Sequence, residues 1–285
     1  MRIFSRFPVA RLSPYIDRFW GWESGEGETV PLPTVLPGTG AEVFFHYRTP
    51  FAQSEGGKLF SLPATHLLCI RRRPMQLAAM EGLGFIAVRF RAGALHHFTQ
   101  LPGNELIDQQ PRAQDLWGTP GKRLADEVTG ARSHDERVAL LQSFLLEQLE
   151  ARAFDAIVSA AATVLYRHCD TLSIDQLAAR FHLGKRQLER RFLQATGLTP
   201  VEVRRLGRFQ KTARTLLLDP SATSADAALA HGYYDQSHFI REFQSLTALS
   251  PLAYLSQARL KTHFYNTPRP ASATIHGTLS SSPRA

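Results

Sequence analysis

Four cationic side chains lie within nine residues in the stretch GKRQLERRF, residues 184 to 192. Arginine can donate two hydrogen bonds to guanine, glutamate can accept one from cytosine, and any of the cations can neutralise a phosphate. Leu188 and Phe192 are four residues apart and therefore share one face of a helix, whereas Arg186 and Arg190 fall near the opposite face. A surface helix that faces only water has the same pattern, so the surrounding sequence has to decide between the two interpretations.

The positive charge of the chain is concentrated around this stretch. Residues 180 to 214 contain ten Lys and Arg against two Glu, a net charge of +8 that equals the excess of the whole chain of 285 residues. Such a concentration favours a polyanionic partner, because neutralised phosphates release counterions whatever the base sequence. Charge alone leaves ribosomal RNA, a membrane surface and an acidic protein open as partners.

The elements around the cationic stretch form a repeated pattern. Ser173 and Gln176 have the spacing of a capping box, the helix IDQLAARF follows, and HLG with Gly184 as cap leads into a second helix, KRQLERRFLQA. This order is typical of a helix-turn-helix unit. The pattern returns 51 residues later, where Asp235 is placed to cap the second helix. The matching positions are Ser173 and Ser224, Asp175 and Asp226, Leu188 and Phe239, Arg190 and Arg241, Phe192 and Phe243, Thr196 and Thr247, Leu198 and Leu249, and Pro200 and Pro251.

A single helix is predicted between the two copies, over residues 201 to 218. Its expected length is about 27 Å, which is close to the ~34 Å of one turn of B-DNA. A rigid spacer of this length would present two recognition helices to successive segments of a major groove. The duplication and the basic spacer therefore favour a DNA-binding surface over a merely solvated helix.

The segment from about 155 to 258 resembles the DNA-binding domain of AraC/XylS-type bacterial transcription regulators. The resemblance rests on LAARFHLGKRQLERRF with GLTP in the first unit, and on HGYYDQSHFIREF with LSP in the second. It implies seven helices, with two helix-turn-helix units joined by a long helix. The second unit is less basic than the first, which predicts selectivity or contact with RNA polymerase as its main role. Ala227 replaces a larger aliphatic residue and Ala248 replaces a glycine that Gly197 supplies in the first unit, so looser packing or a looser turn is expected in the second unit.

Candidate base contacts follow from the helical geometry and from the resemblance. With the apolar pair turned inward, Arg186, Arg190 and Leu193 point outward in the first recognition helix and Gln187 and Glu189 lie on its flanks. An internal ion pair of Glu189 with Arg186 or Arg190 is an equally good interpretation. The resemblance implies base contact by Arg186, Glu189, Arg190, Gln236, Ser237, His238 and Arg241. Phosphate contacts or intramolecular pairs are expected of Lys185, Arg191, Arg204, Arg205 and Arg208.

Short apolar runs separated by Gly and Pro dominate residues 1 to 115 and predict a mostly β domain. The stretches YIDRFWGWE, LPGTGAEVFFHY and FIAVRFRAGALHHF resemble the sensor domain that often precedes this type of DNA-binding module. The resemblance implies a barrel-like fold and the sensing of either a small-molecule effector or a partner. Aromatic residues in strands are more often core than pocket. The candidate residues for an effector pocket are Trp20, Trp22, Phe44, His46 and His66.

The apolar residues Val138, Leu141, Leu145 and Leu149 form one helical stripe within 135 to 150. This stripe packs either on its own domain or in the seam of a homodimer. The tail is rich in Pro, Ser and Thr and is expected to be disordered. The sequence thus predicts an α+β multidomain protein with a mostly β domain at 1–115, a helical connector at 116–153, an all-α double helix-turn-helix domain at 154–260 and a disordered tail at 261–285.

Other classes of protein find little support in the sequence. Cys69 and Cys169 are the only cysteines and give neither a disulfide framework nor a metal-ligand cluster, and His96 and His97 are adjacent, which does not suit two ligands on one strand. No nucleophile elbow or phosphate loop is present, so an enzyme, a metal and a cofactor are not expected. We expect a cytoplasmic protein with neither a signal peptide nor a membrane span.

Overall fold

The computed structural model describes residues 1–150 and 155–264 of the chain. The first part is mostly β, as expected. Its strands are β1 (Arg2–Arg6), β2 (Ile16–Glu23), β3 (Thr34–Val35), β4 (Ala41–His46), β5 (Ala52–Glu55), β6 (Lys58–Ser61), β7 (Thr65–Leu68), β8 (Met75–Gln76) and β9 (Gly84–Phe90).

The largest sheet is antiparallel and has the strand order β1-β2-β9-β4-β7, while β3 pairs with β8 and β5 with β6. Its outer strands β1 and β7 do not pair with each other, so the barrel-like sheet is not closed within the described residues. Alternation along β2 sends Phe19 to one face and Trp20 and Trp22 to the other. The first face packs against helices, and the second belongs to a separate aromatic cluster.

Two helices follow the sheet, α1 (Ala113–Gly130) and α2 (His134–Glu150). Helix α1 begins three residues before the predicted 116 and is interrupted at Gly118, which has a φ of 63°. In α2, the stripe residues Val138, Leu141 and Leu145 are buried within the chain. The structure therefore favours the first of the two interpretations of this stripe, in which α2 packs on the domain to which it belongs.

Seven helices follow between 156 and 258, in agreement with the expectation. They are α3 (Ala156–Arg167), α4 (Ile174–Arg180), α5 (Lys185–Thr196), α6 (Pro200–Leu218), α7 (Ser224–Ala230), α8 (Gln236–Thr247) and α9 (Pro251–Ala258). The predicted spacer is one uninterrupted helix, α6, with 19 residues and a length of about 28 Å. No helix in the described part of the chain is both long enough and apolar enough to cross a membrane.

The β domain packs directly on the first helix-turn-helix unit. A Cβ atom at Gly197, which ends α5, would lie 2.5 Å from the backbone of Gly103, so only glycine allows this approach. Arg72 of the β domain also donates to Glu202 of α6 at 2.9 Å. Burial would raise the pKa of Glu202, but bonds from Thr199 and Arg72 outweigh it and hold that pKa below its ordinary value.

The expectation of a disordered tail from 261 is wrong at its beginning. The backbone N–H of Thr262 donates to the carbonyl of Pro31 at 2.9 Å, and His263 and Phe264 are buried. Phe264 packs in the core of the β domain, and local composition does not predict a contact between segments so far apart in the chain. The rest of this prediction, 265 to 285, lies outside the described residues.

Candidate nucleic-acid interface

Local capping fixes the first unit. The Ser173 hydroxyl accepts from the N–H of Gln176 at 3.1 Å, and the Gln176 side chain accepts from the N–H of Ser173 at 2.9 Å, so the predicted capping box begins α4. Gly184 is the N-cap of α5, as expected. Leu188 and Phe192 are fully buried, which turns the opposite face of α5 outward.

The outward face of α5 carries the predicted base contacts. Arg186 and Arg190 are exposed, and Glu189 is partly exposed beside them. Leu193, at 44% exposure, lies on the same face. Within residues 1–150 and 155–264, the side chains of Arg186, Glu189 and Arg190 take part in no ion pair. The internal pairing considered for Glu189 is thus not formed, and its carboxylate remains available to accept hydrogen bonds.

The second unit repeats this arrangement with different caps. Thr223, one residue before the matched Ser224, is the N-cap of α7 and accepts from the N–H of Asp226 at 3.1 Å. Asp235 caps α8 as expected, accepting from the N–H of His238 at 2.7 Å. Phe239 and Phe243 are buried.

The predicted base contacts of α8 lie at its start and along its outer face. Gln236, Ser237 and Arg241 are exposed, and His238 is partly exposed with its ring 5.2 Å from that of Tyr233. The guanidinium of Arg241 donates to the carbonyl of Ser237 at 3.3 Å, within its own helix. Side chains of both recognition helices are therefore presented to solvent.

The five cations assigned to phosphates or to intramolecular pairs all have partners within the chain. Lys185 pairs with Asp175 at 3.2 Å and Arg191 with Asp155 at 3.1 Å. Arg204 donates to the carbonyl of Cys169 at 3.0 Å. Much of the positive charge of the segment therefore also serves to hold the helices together.

Arg205 and Arg208 belong to a network that joins α6 to α8. Arg205 pairs with Glu242 at 3.1 Å, and the Tyr233 hydroxyl donates to the same carboxylate at 2.5 Å. Arg208 donates to the carbonyl of Gly232 at 3.1 Å and lies over the Tyr233 ring. Burial and then the charge of Glu242 raise the pKa of Tyr233, so this hydroxyl stays protonated.

The two recognition helices end in the same conformation on different residues. Gly197 has a φ of 71° and Ala248 a φ of 59°, both left-handed. Glycine adopts this region freely, whereas an alanine there costs about 1–2 kcal/mol. The turn at Ala248, expected to be looser, therefore has the same conformation as the turn at Gly197. It costs conformational free energy in the second unit. Ala227 is buried, so its small side chain leaves less apolar volume in that core.

The residues proposed for an effector pocket all lie in the aromatic cluster. Trp20, Trp22, Phe44, His46 and His66 are at most 2% exposed. The rings of His46 and His66 stack 5.4 Å apart. Burial lowers the pKa of His66 to about 4 and that of His46 well below its ordinary value, so both rings are neutral near pH 7. The five residues are therefore packed together as core, the alternative that the sequence also allowed, and none of them lines the cleft described next.

A cleft of about 650 Å³ lies between the β domain and α6, and sequence analysis missed it. Arg18 and Arg89 line it from the sheet, Lys211 from α6, and Phe264 from the end of the described chain. A partial signal existed in FIAVRFRA, where Arg89 alternates with the buried Val88 and Phe90 and therefore points away from the core that those residues enter. The contribution of α6 could not be found in this way, because it depends on how the two domains pack.

Residues 177–257 match the helix-turn-helix domain family, and this match spans α4 to α9 with both units. This part of the chain, residues 177–257, is an AraC-type helix-turn-helix domain. Residues 5–112, ahead of the AraC-type domain, match a domain of unknown function, DUF6597. No curated protein matches the chain significantly.

Several solved structures are similar to the AraC-type domain or to the whole chain. ToxT from Vibrio cholerae is 12% identical, covers 84% of this chain and 98% of its own, and has a TM-score of 0.46. The DNA-binding domain of AdpA in complex with a target DNA is 21% identical, covers 37% of this chain and 96% of its own, and has a TM-score of 0.35. A probable AraC family transcriptional regulator from Rhodopseudomonas palustris is 23% identical, with coverages of 37% and 99% and a TM-score of 0.33.

Proposed function

We propose that this protein is a bacterial transcription regulator that binds two adjacent major-groove segments of a specific DNA site, one with α5 and one with α8. The observation that carries the proposal is the outward face of α5, where Arg186, Glu189 and Arg190 form no ion pair with any residue that the structure describes. Arg186 and Arg190 stand exposed beside Glu189, whereas the neighbouring cations are held by partners of the own chain. A surface that only attracted polyanions would gain nothing from a carboxylate among its arginines.

The five remaining cations act as phosphate contacts through their exposed edges or as internal supports of the recognition helices. Helix α6 is about 28 Å long, so it would set the two units close to one turn of B-DNA (~34 Å) apart. DNA as ligand places the protein in the bacterial cytoplasm. An adaptor that binds an acidic protein through the same helix is the alternative, and it requires no dependence on base sequence.

Selection of bound fragments from bacterial genomic DNA tests the proposal. The full chain is expected to enrich fragments that share a motif with two segments. The double variant Arg186→Ala, Arg190→Ala serves as the control and should lose the enrichment of the first segment. Fragments without a shared motif would favour the adaptor and contradict the proposal.

Control by a small-molecule effector bound at the β domain is the second part of the proposal. The cleft of about 650 Å³ has the size of ordinary ligand pockets and is lined by both the β domain and α6. A ligand there would contact both halves, so its binding would couple to the position of the DNA-binding units without passing through α1 and α2. If the fragment from 155 onward and the full chain bound the same DNA equally with every candidate effector, this part would fail.

The second unit has a further candidate role in contacting RNA polymerase. Its residues 224 to 255 carry Arg241 against Asp226, Asp235 and Glu242, so it contributes little to the attraction of phosphates. Leu252 is 79% exposed on α9 and offers an apolar contact to a protein. Substitution Leu252→Ala should reduce transcription activation in vitro without changing DNA affinity. Equal losses of both would contradict the role.

A further inference from the structure

The chain returns to the β domain after the second helix-turn-helix unit. Helix α9 ends at Ala258, and four residues later Thr262 donates its N–H to the carbonyl of Pro31 at 2.9 Å. Arg89 of β9 donates to the carbonyl of Phe264 at 3.2 Å. Residues 259–264, which we call the C-terminal strap, therefore connect α9 to the sheet across the cleft.

The ring of Phe264 sits in the aromatic cluster of the β domain. Its centroid lies 5.1 Å from the ring of Trp22, 5.2 Å from that of Trp20, 5.9 Å from that of Phe44 and 6.0 Å from that of Phe51. All four neighbours are fully buried, while Phe264 is 9% exposed. The strap thus ends in an aromatic side chain that enters the core of another domain from its edge.

The Phe264 site differs from an ordinary core position in its polar atoms. The indole N–H groups of Trp20 and Trp22 are buried and have no hydrogen-bond partner among the described residues. A phenyl ring cannot accept these hydrogen bonds well, and an unmet buried donor is costly. The Phe264 ring therefore leaves two buried donors of its site without acceptors among the described residues. We expect such a contact to open more readily than the surrounding core.

The two units depend on the strap to different degrees. The first unit is already fixed to the β domain by the contact of Gly103 with Gly197 and by the ion pair of Arg72 with Glu202. The second unit is joined to the β domain at its far end, beyond α9, by the hydrogen bonds of Thr262 and Phe264 and by the ring contacts of Phe264. Opening the strap would remove this attachment of the second unit to the β domain, while Arg205 and Arg208 of α6 would still hold α8 and the turn before it.

We propose that the aromatic cluster is a binding site for the side chain of Phe264, and that the C-terminal strap is a latch through which the β domain controls the second DNA-binding unit. Phe264 also lines the cleft proposed above for an effector, so a ligand in the cleft would contact the latch. This link to an effector rests on the proposed function, whereas the latch itself requires only the two units and the cluster.

The test compares Phe264→Ala with Phe51→Ala in the full chain. Both variants remove a ring from the same cluster, but only the first removes the attachment of the second unit. Hydrogen exchange of residues 251–258 and the ratio of affinities for DNA with both segments and with the first segment alone are measured for each. Leu260→Ala, an exposed position of the strap, is the neutral control.

The proposal expects faster exchange in 251–258 and a change of about fivefold or more in the affinity ratio for Phe264→Ala only. A higher ratio means that the latch holds the second unit away from the duplex, and a lower ratio that it holds the unit in register. An unchanged exchange and ratio, or equal changes in Phe51→Ala, would overturn the latch. If the unsubstituted protein showed no sequence-dependent binding to DNA, the proposed function would be overturned instead.

Discussion

The two helix-turn-helix units share a pattern of caps and buried aromatic residues but differ in how they are held and charged. The first ends its recognition helix on Gly197 against the backbone of Gly103 and presents Arg186 and Arg190 to solvent. The second ends on a strained Ala248 and presents one arginine, Arg241. We therefore expect the first unit to supply most of the affinity for DNA and the second to move more readily relative to the β domain.

The largest effect is expected from Gly197→Ala. The new Cβ would meet the Gly103 backbone at 2.5 Å and force a left-handed alanine, so a loss of about 2–5 kcal/mol in the free energy of unfolding is expected. Urea unfolding measures it. Gly130→Ala, whose new Cβ meets nothing within 4 Å, is the control and should show no loss. A loss below about 1 kcal/mol for Gly197→Ala would contradict the clamped first unit.

Acid is expected to weaken the β domain. Burial lowers the pKa of His66 to about 4 and that of His97 to about 3, below the ordinary 6.5. At pH values between the lowered pKa and 6.5, each of these histidines is protonated in the unfolded chain but neutral in the folded chain. The free energy of unfolding therefore falls as pH drops below 6.5, by up to about 1.4 kcal/mol per pH unit for each histidine. Unfolding at pH 7 and pH 5 checks this. The variant His66→Phe should have a shallower slope, and an identical slope would contradict the burial of a neutral ring.

Arg190→Ala should reduce DNA affinity more than Arg241→Ala. Arg190 lies on the more basic unit and forms no ion pair with the described residues, and a lost base contact costs about 1–3 kcal/mol, or roughly fivefold to a hundredfold in affinity. Binding over a series of salt concentrations measures affinity and charge contribution together. Equal losses in the two variants would remove the proposed difference between the units.

Glu189→Gln should alter selectivity with little loss of overall affinity. Replacing the carboxylate removes an acceptor for cytosine, so discrimination at one base pair should fall by about 1–3 kcal/mol, while affinity for unrelated DNA should rise slightly. Competition between the selected site and its single-base variants measures this. Unchanged preferences at every position would show that Glu189 does not contact a base.

The smallest effect is expected from Ala248→Gly. Glycine relieves the left-handed strain at the end of α8, so the unfolding free energy should rise by about 0.5–1 kcal/mol. Thermal and urea unfolding can resolve such a gain. A loss of stability would show that the φ of 59° imposes no strain on alanine here.

Local patterns predicted the helical half well and the connections between its parts poorly. The spacing of Leu188 and Phe192 and the caps at Ser173 and Asp235 act within a few residues, so α4, α5 and α8 could be placed from sequence. The partners of Arg204 and Arg205 lie 35 and 37 residues away, and no periodicity encodes them.

The same limit applies to the β domain and the strap. The strands at 41–46 and 84–90 were evident as apolar runs, but their pairing and the open edge of the sheet follow from contacts between distant segments. Phe264 adds its ring to a cluster whose other members lie more than 170 residues earlier in the chain. Composition suggested an unstructured tail there, because a single aromatic residue gives no repeat to detect.

The central claim is that α5 and α8 bind consecutive segments of one major-groove face. Hydroxyl-radical footprinting of the full chain on its selected site tests it most directly. The account predicts two protected tracts about 10 base pairs apart, with the first lost in the Arg186→Ala, Arg190→Ala double variant. A single protected tract, or protection that does not depend on sequence, would contradict it.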